Sequence, residues 1–279
     1  MNFLAGRFVA GTTADEALDA VHRLNETQLK ATLDFLGEET RSQAQAEAST
    51  EEYVRLLDWI AASGLDCNVS VKLTQLGLAI QDELARKNLR RILETAARHG
   101  NFVRVDMEGS AYTQRTLDLF YPLFAEFEDV GVVIQAALRR SAADILKLNR
   151  IKARIRLCKG AYKEPAAVAF QGRAEVDKNY DALALELIAQ GTYPAFATHD
   201  DARIDRVLRA CQERRTPRDR FEFQMLYGIR RPLWRQLCER GYTVRVYVPY
   251  GTHWLPYYYR RVRERKENLL FALRSIFSD

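Results

Sequence analysis

The stretch Phe102-Val-Arg-Val-Asp-Met107, with Val132-Val-Ile-Gln-Ala136 and Arg154-Ile-Arg-Leu-Cys158 after it, decides the fold. Each run is short, rich in β-branched residues and alternating, which is the pattern of a strand. Working outward, the same kind of run recurs at Ala31-Thr-Leu-Asp-Phe-Leu36, Asn68-Val-Ser-Val-Lys-Leu73, Tyr193-Pro-Ala-Phe-Ala-Thr198, Phe221-Glu-Phe-Gln-Met225 and Val244-Arg-Val-Tyr-Val248. Amphipathic segments lie between them. Glu83 to His99 carries Leu84, Leu89, Ile92, Leu93 and Ala96 on one stripe and stops at Gly100. Asp177 to Ala189 and Asp200 to Glu213 read alike. Thr13 and Glu16 have the spacing of a capping box that opens a first helix. About eight strands, each followed by a helix, predict an α/β chain folded as one (β/α)8 TIM-type barrel domain over residues 1–279. A length of 279 residues suits that barrel, which needs about 250.

Composition narrows the function. Hydrophobic residues at 47% and charged residues at 28% exclude wholesale disorder. Lys+Arg 42 against Asp+Glu 37 gives a mild excess of +5, compatible with phosphate-bearing ligands or an anionic surface, and equally with neither. The cysteines, Cys67, Cys158, Cys211 and Cys238, form no CxxC pair, and the histidines have no ligand spacing. No metal site is expected, and the thiols read as reduced in a cytoplasmic compartment. No apolar run approaches the ~20 residues of a membrane span, so any membrane contact is peripheral.

Strand ends carry residues that a plain core rejects. Lys72 ends the second strand and Asp106 the third. Gln135 lies in the fourth, with Arg156 and Lys159 in or beside the fifth. Thr198 and His199 close the sixth, Glu222 and Gln224 lie in the seventh, and Arg245 and Tyr247 in the eighth. Any one of these is more often a structural ion pair than a catalytic group. A ring of both charge signs around one mouth favours an active site, because TIM-type barrels place chemistry at the C-terminal ends of strands. Arg156, Lys159, Gly160 and Ala161 form a basic turn that can hold phosphates. There is no Rossmann GxGxxG and no P-loop.

A last helix starts near Pro256. Arg260, Glu264 and Asn268 share one face, flanked by Tyr257 and Arg261. Two adjacent arginines beside an acid can bind a carboxylate. A solvated helix with i,i+4 pairs is the plainer reading, and it suits Arg263, Arg265, Lys266 and Glu267.

Together these residues resemble the proline dehydrogenase family, in its short monofunctional bacterial type. The resemblance rests on Phe8-Val-Ala-Gly11, Leu33-Asp-Phe-Leu-Gly-Glu38, Arg156-Leu-Cys-Lys-Gly-Ala-Tyr162, Ala197-Thr-His199, Phe221-Glu-Phe-Gln-Met-Leu-Tyr-Gly228, Val246-Tyr-Val-Pro-Tyr-Gly251 and Tyr257-x-x-Arg-Arg-x-x-Glu264. It implies an FAD enzyme with the last helix packed over the C-terminal mouth. It implies that Arg260, Arg261 and Lys72 clamp the proline carboxylate, with Asp106 fixing Lys72, Glu264 keeping the arginines aligned, and Tyr247, Tyr257 and Leu226 around the ring. On the cofactor side it implies Arg156 at the flavin N5 edge and Gln135 at the pyrimidine edge. Lys159, Gly160 and Ala161 then serve the pyrophosphate, and Thr198, His199, Glu222 and Gln224 the ribityl and adenosine parts. Glu38 becomes a lid that pairs with Arg260. The implied reaction is hydride transfer from C5 of L-proline to flavin N5, giving Δ1-pyrroline-5-carboxylate, with no dedicated base and the amine neutral at transfer. A membrane quinone is the implied electron acceptor. The implied location is cytoplasmic, with peripheral contact at the inner face of the cell membrane. Cys158 departs from the small aliphatic residue often found there, and the chain begins close to the first helix, where many relatives carry extra N-terminal helices.

Two other readings fit parts of the sequence. A Schiff-base aldolase-type barrel would use Lys72 or Lys159 as nucleophile, but such a lysine must be neutral, and Asp106 beside Lys72 opposes that. A nucleic-acid-binding barrel would use the arginine-rich last helix, yet Glu264 and aromatic residues interrupt the basic stripe, so no nucleic-acid partner is expected.

Overall fold

The computed structural model describes residues 7–37 and 39–257. Its strands are β1 (Lys30–Phe35), β2 (Cys67–Val71), β3 (Val103–Val105), β4 (Val130–Gln135), β5 (Arg154–Cys158), β6 (Ala195–Ala197), β7 (Glu222–Leu226) and β8 (Thr243–Tyr250). They form a closed parallel barrel in sequence order, and β8 pairs back onto β1. Helix α1 (Ala14–Asn25) precedes β1. Helices α2 (Gln43–Ser63), α3 (Asp82–Arg98), α4 (Ser110–Glu126), α5 (Ser141–Arg150), α6 (Arg173–Gln190), α7 (Asp201–Glu213) and α8 (Arg231–Glu239) follow β1 to β7 in turn. The predicted alternation is therefore present. β3 and β6 are shorter than the apolar runs suggest, because Asp106 and Thr198 stand just beyond the ladder.

The capping box at α1 forms as the spacing predicts. The Glu16 N–H donates to Thr13 Oγ1 at 3.3 Å, and the Thr13 N–H donates to Glu16 Oε2 at 3.2 Å. The buried face of α1, Ala17, Ala20, Val21 and Leu24, packs against β1 and β8. It fills the outer groove at the seam where the barrel closes, so the segment after β8 is not needed there. Residues 254–257 begin a helix instead. Tyr257 is buried with Val9 and Leu36, and Leu36 directly follows the C-terminal end of β1. The first turn of this helix thus stands at the mouth. Arg260, Arg261, Glu264 and Glu38 lie outside the described residues.

The barrel interior is polar where such barrels ordinarily carry Val, Ile and Leu. Arg104 Nη1 donates to the Arg154 carbonyl at 2.7 Å. Gly131 makes room for it, since a Cβ there would lie 2.5 Å from Arg104 Nη1. Arg245 Nε donates to Glu222 Oε1 at 3.0 Å, and its Nη1 donates to Asn68 Oδ1 at 3.0 Å and to the Ala31 carbonyl at 2.9 Å. Glu222 is the first residue of β7 and pairs in register with Thr243, the first of β8. Glu222 and Arg245 therefore close the barrel floor at the N-terminal end. The ion pair engages the carboxylate of Glu222 there.

Burial acts to raise the Glu222 carboxyl, but the Arg245 guanidinium and the Gln224 amide outweigh it and hold it below the ordinary glutamate value. A carboxyl lowered by folding adds stability that is complete above its unfolded value, about 4.3. That stability disappears as the pH falls through the lower folded value. Glu222→Gln should cost about 3 kcal/mol at pH 7, and the deficit should shrink below about pH 4, where the wild-type group also loses its charge. Urea unfolding over a pH series reads this directly. A deficit constant with pH would show that the charge of Glu222 is not what stabilises the floor.

Candidate active site

The mouth is organised around Asp106. Its Oδ1 accepts from Arg156 Nη1 at 2.7 Å, and its Oδ2 accepts from Tyr247 OH at 2.6 Å and from Lys72 Nζ at 3.3 Å. Lys72 Nζ also donates to Asp34 Oδ1 at 2.8 Å and to Tyr247 OH at 3.1 Å. Arg156 Nη2 donates to Ser70 Oγ at 3.0 Å. Asp34, Lys72, Asp106 and Arg156 are all buried. Alternation places them: Asp34 on β1, Ser70 and Lys72 at the end of β2, Asp106 past β3, Arg156 on β5 and Tyr247 on β8 all project inward.

Two carboxyls face two cations, and their environments differ. Burial pushes the Asp34 carboxyl up and the Asp106 charge adds to it, and Lys72 and Tyr247 offset only part of that. Burial also acts to raise Asp106, but Lys72 and Arg156 together hold it below the ordinary aspartate value. The Tyr247 phenol is driven well above its usual value by burial and by Asp106, so it stays protonated and donates to Asp106. An ammonium has three protons, and the hydrogen bonds above give Lys72 three acceptors. A substrate carboxylate can gain a bond from Lys72 only by displacing one of these, and Asp106 is the longest at 3.3 Å. Asp34 and Asp106 contact Lys72, and Asp177 with Asp200 contact Lys159.

A second group lies around the ends of β4 to β7. Gln135 Nε2 donates to the Glu108 carbonyl at 2.9 Å. Gly160 follows β5 with φ +108, and a Cβ there would lie 3.1 Å from Ala137 Cβ and 3.2 Å from Gln135 Oε1. Only glycine leaves this backbone open beside Gln135; Ala161 follows it. Lys159 Nζ donates to Asp200 Oδ2 at 2.6 Å and pairs with Asp177. Thr198 Oγ1 accepts from the Asp200 N–H at 3.1 Å. His199 Nε2 accepts from the Leu226 N–H at 2.9 Å, which leaves the proton of a neutral ring on Nδ1. Arg156 Nε and Gln224 Oε1 are buried polar atoms with no partner among the described residues. Such atoms are costly unless something meets them.

The structure thus gathers Lys72, Asp106, Arg156 and Tyr247 into one cluster, with Gln135, Lys159, Gly160, Thr198, His199 and Gln224 on neighbouring strands. Sequence reasoning overlooked Asp34, Ser70, Asp177 and Asp200. Asp34 had a signal: with Thr32 it occupies the alternate positions of its run, as Lys72 and Asp106 do in theirs. Asp177 and Asp200 had none, because what selects them is the position of Lys159 in space.

A closed parallel barrel with a buried cluster of mixed charge at its C-terminal mouth is an enzyme barrel. The proline dehydrogenase family profile matches residues 17–274. The chain is 44% identical to proline dehydrogenase 1 of Bacillus subtilis subsp. natto, over 98% of this chain and 90% of that protein. It is 40% identical to the proline dehydrogenase of Deinococcus radiodurans, over the same shares. The crystal structure of proline utilization A from Bdellovibrio bacteriovorus, inactivated by N-propargylglycine, superimposes with a TM-score of 0.90 at 29% identity. That match covers 99% of this chain and 34% of the longer protein, about a third of its length. The chain belongs to the proline dehydrogenase family and is an oxidoreductase acting on proline. No helix among the described residues is long and apolar enough to cross a membrane.

Proposed function

We propose that this barrel oxidises L-proline to Δ1-pyrroline-5-carboxylate with FAD as cofactor and passes the electrons to a membrane quinone through peripheral contact. The observation that carries the reading is the pairing of the Asp106 cluster with an open backbone at Gly160 and two unmet buried polar atoms, Arg156 Nε and Gln224 Oε1. These fit a flavin, which carries both donors and acceptors along its edge. Arg156 and Gln135 would hold the ring system, Lys159, Gly160 and Ala161 the pyrophosphate, and Thr198, His199 and Gln224 the ribityl and adenosine parts. When bound, FAD supplies at N5 the acceptor for the hydride lost from C5 of proline.

The chain's own work is binding and orientation. Asp106 holds Lys72 and Arg156 at fixed positions. Lys72, with Arg260 and Arg261, supplies the positive field for the substrate carboxylate, and Glu264 aligns the arginines. Tyr257, Leu226 and the ring of Tyr247 surround the pyrrolidine. No dedicated base stands among these groups, and the amine is neutral at the moment of transfer. The purified protein should be yellow and release FAD, without covalent attachment, on acid denaturation. A colourless protein that gains no flavin spectrum when titrated with FAD would end this reading.

The hydroxyl of Tyr247 is held by Asp106 and Lys72, so its ring is a fixed wall. A 4-hydroxyl group pressed on that wall loses water without gaining a good partner, at about 1–3 kcal/mol. Tyr247→Ser should lower kcat/KM for proline about tenfold through lost packing and should narrow the preference for proline over 4-hydroxyproline. An unchanged ratio of kcat/KM for the two substrates would place Tyr247 outside the ring pocket.

A further inference from the structure

Helices α7 and α8 run antiparallel to the strands they follow, so their C-terminal ends lie where β7 and β8 begin, opposite the mouth. A cavity of about 660 Å³ opens there, walled by Arg209, Arg215, Arg218, Arg240, Tyr242 and Asp205 among others. Arg218 and Arg240 both stand over the Tyr242 ring, with Cζ 5.2 Å and 5.5 Å from its centroid. Arg218 Nη1 donates to the Arg240 carbonyl at 2.7 Å, and Arg209 Nε donates to the Asp205 carbonyl at 3.3 Å. None of the four guanidiniums forms an ion pair with a carboxylate among the described residues. Other surface arginines, such as Arg55, Arg90, Arg115 and Arg203, each do. Each guanidinium has five donors in a planar fork, and most of these are unspent.

Arg215 adds a second observation. It ends α7 in the left-handed region at φ +54, a position where glycine is ordinarily favoured. A branched-free glycine would relieve the backbone, yet an arginine stands there and lines the cavity. The dipole of α7 accounts for a cation at its own C-terminus. The dipole of α8 does the same for Arg240, its C-cap, but neither accounts for Arg218, on the 3-10 turn Arg218–Arg220. Three separate elements aim guanidinium groups into one space that holds a single carboxylate, Asp205.

We propose that this cavity binds a small anion carrying one or two phosphate groups, either free or as a lipid headgroup. Arginine forks match phosphate oxygens in pairs, and the clustered positive charge is relieved when such an anion enters. The site lies on the face away from proline oxidation and stands whether or not the cofactor reading holds.

The test is calorimetric titration of the holoenzyme with inorganic pyrophosphate, at ionic strength held constant with chloride. Saturable binding is expected, weakened about tenfold or more in Arg218→Gln and in Arg215→Gly, with proline oxidation unchanged in both. Arg215→Gly relieves backbone strain, so misfolding is not expected to confuse the result. Sedimentation with phosphatidylcholine vesicles, with and without phosphatidylglycerol, separates the two sources. Vesicle binding that needs phosphatidylglycerol and is lost in the same variants, without pyrophosphate binding, assigns a lipid headgroup. Pyrophosphate binding lost in the variants assigns a free ligand. If neither probe binds, or if both variants bind as the wild type does, the proposal fails.

Discussion

Asp106→Ala should lower the stability of the fold by about 3–5 kcal/mol, the cost of leaving buried charges without their partner. Asp106 is the shared acceptor for Lys72, Arg156 and Tyr247. Lys72 keeps Asp34 after the substitution, but Arg156 keeps no carboxylate among the described residues, only the Ser70 hydroxyl and the face of the Tyr247 ring, 5.3 Å from its Cζ. Two cations then face one carboxyl, and that carboxyl, Asp34, is already pushed toward its neutral form by burial. At roughly 2–4 °C per kcal/mol for a chain of this size, the melting temperature should fall by roughly 6–20 °C. Proline turnover should fall with it, because Arg156 and Lys72 lose their fixed positions. Thermal denaturation checks the first effect and steady-state kinetics the second. A melting temperature within about 2 °C of wild type would mean that solvent or rearrangement compensates the two cations, and that Asp106 is not the hub of the cluster.

Lys72→Met should leave the barrel folded and cut kcat/KM for proline by about ten- to a hundredfold, corresponding to about 1.5–3 kcal/mol for a lost charge-assisted hydrogen bond. Methionine keeps the length of the side chain. Asp106 keeps Arg156, and Asp34, whose carboxyl is already raised, takes up a proton once its cation is gone. The loss should appear mainly in KM, because a positive field on the carboxylate is felt by bound proline and by the transition state alike. Adding Asp34→Asn to Lys72→Met should change little, since the lysine that Asp34 orients is absent. Unchanged kinetics in Lys72→Met would remove the lysine from carboxylate recognition and leave that task to the last helix.

Much of this was legible in the sequence for a definite reason. Barrel strands are short and lie between amphipathic helices, and that alternation survives in the bare order of residues. Phe102 to Met107 and Arg154 to Cys158 each announce a strand and a polar residue on its inner face. Depth in the barrel was not legible. Glu222 and Lys72 look equivalent in sequence, each a charge within an apolar run. Lys72 stands just past the end of β2 and Glu222 at the start of β7, so the first reaches the mouth and the second the floor, where Arg245 meets it. Asp34 escaped notice because Leu33 and Phe35 surround it with apolar signal. The acids that hold Lys159 arrive from α6 and from the cap of α7, and only the folded chain brings them together.

The measurement that bears most directly on the central claim is an anaerobic titration of the purified protein with L-proline, followed by visible absorbance. The account predicts a flavin spectrum that bleaches as proline is added, with Δ1-pyrroline-5-carboxylate formed in equal amount, and no bleaching by proline in which C5 carries no hydrogen. A flavin band that proline leaves untouched, or product formed with no change in that band, would contradict it.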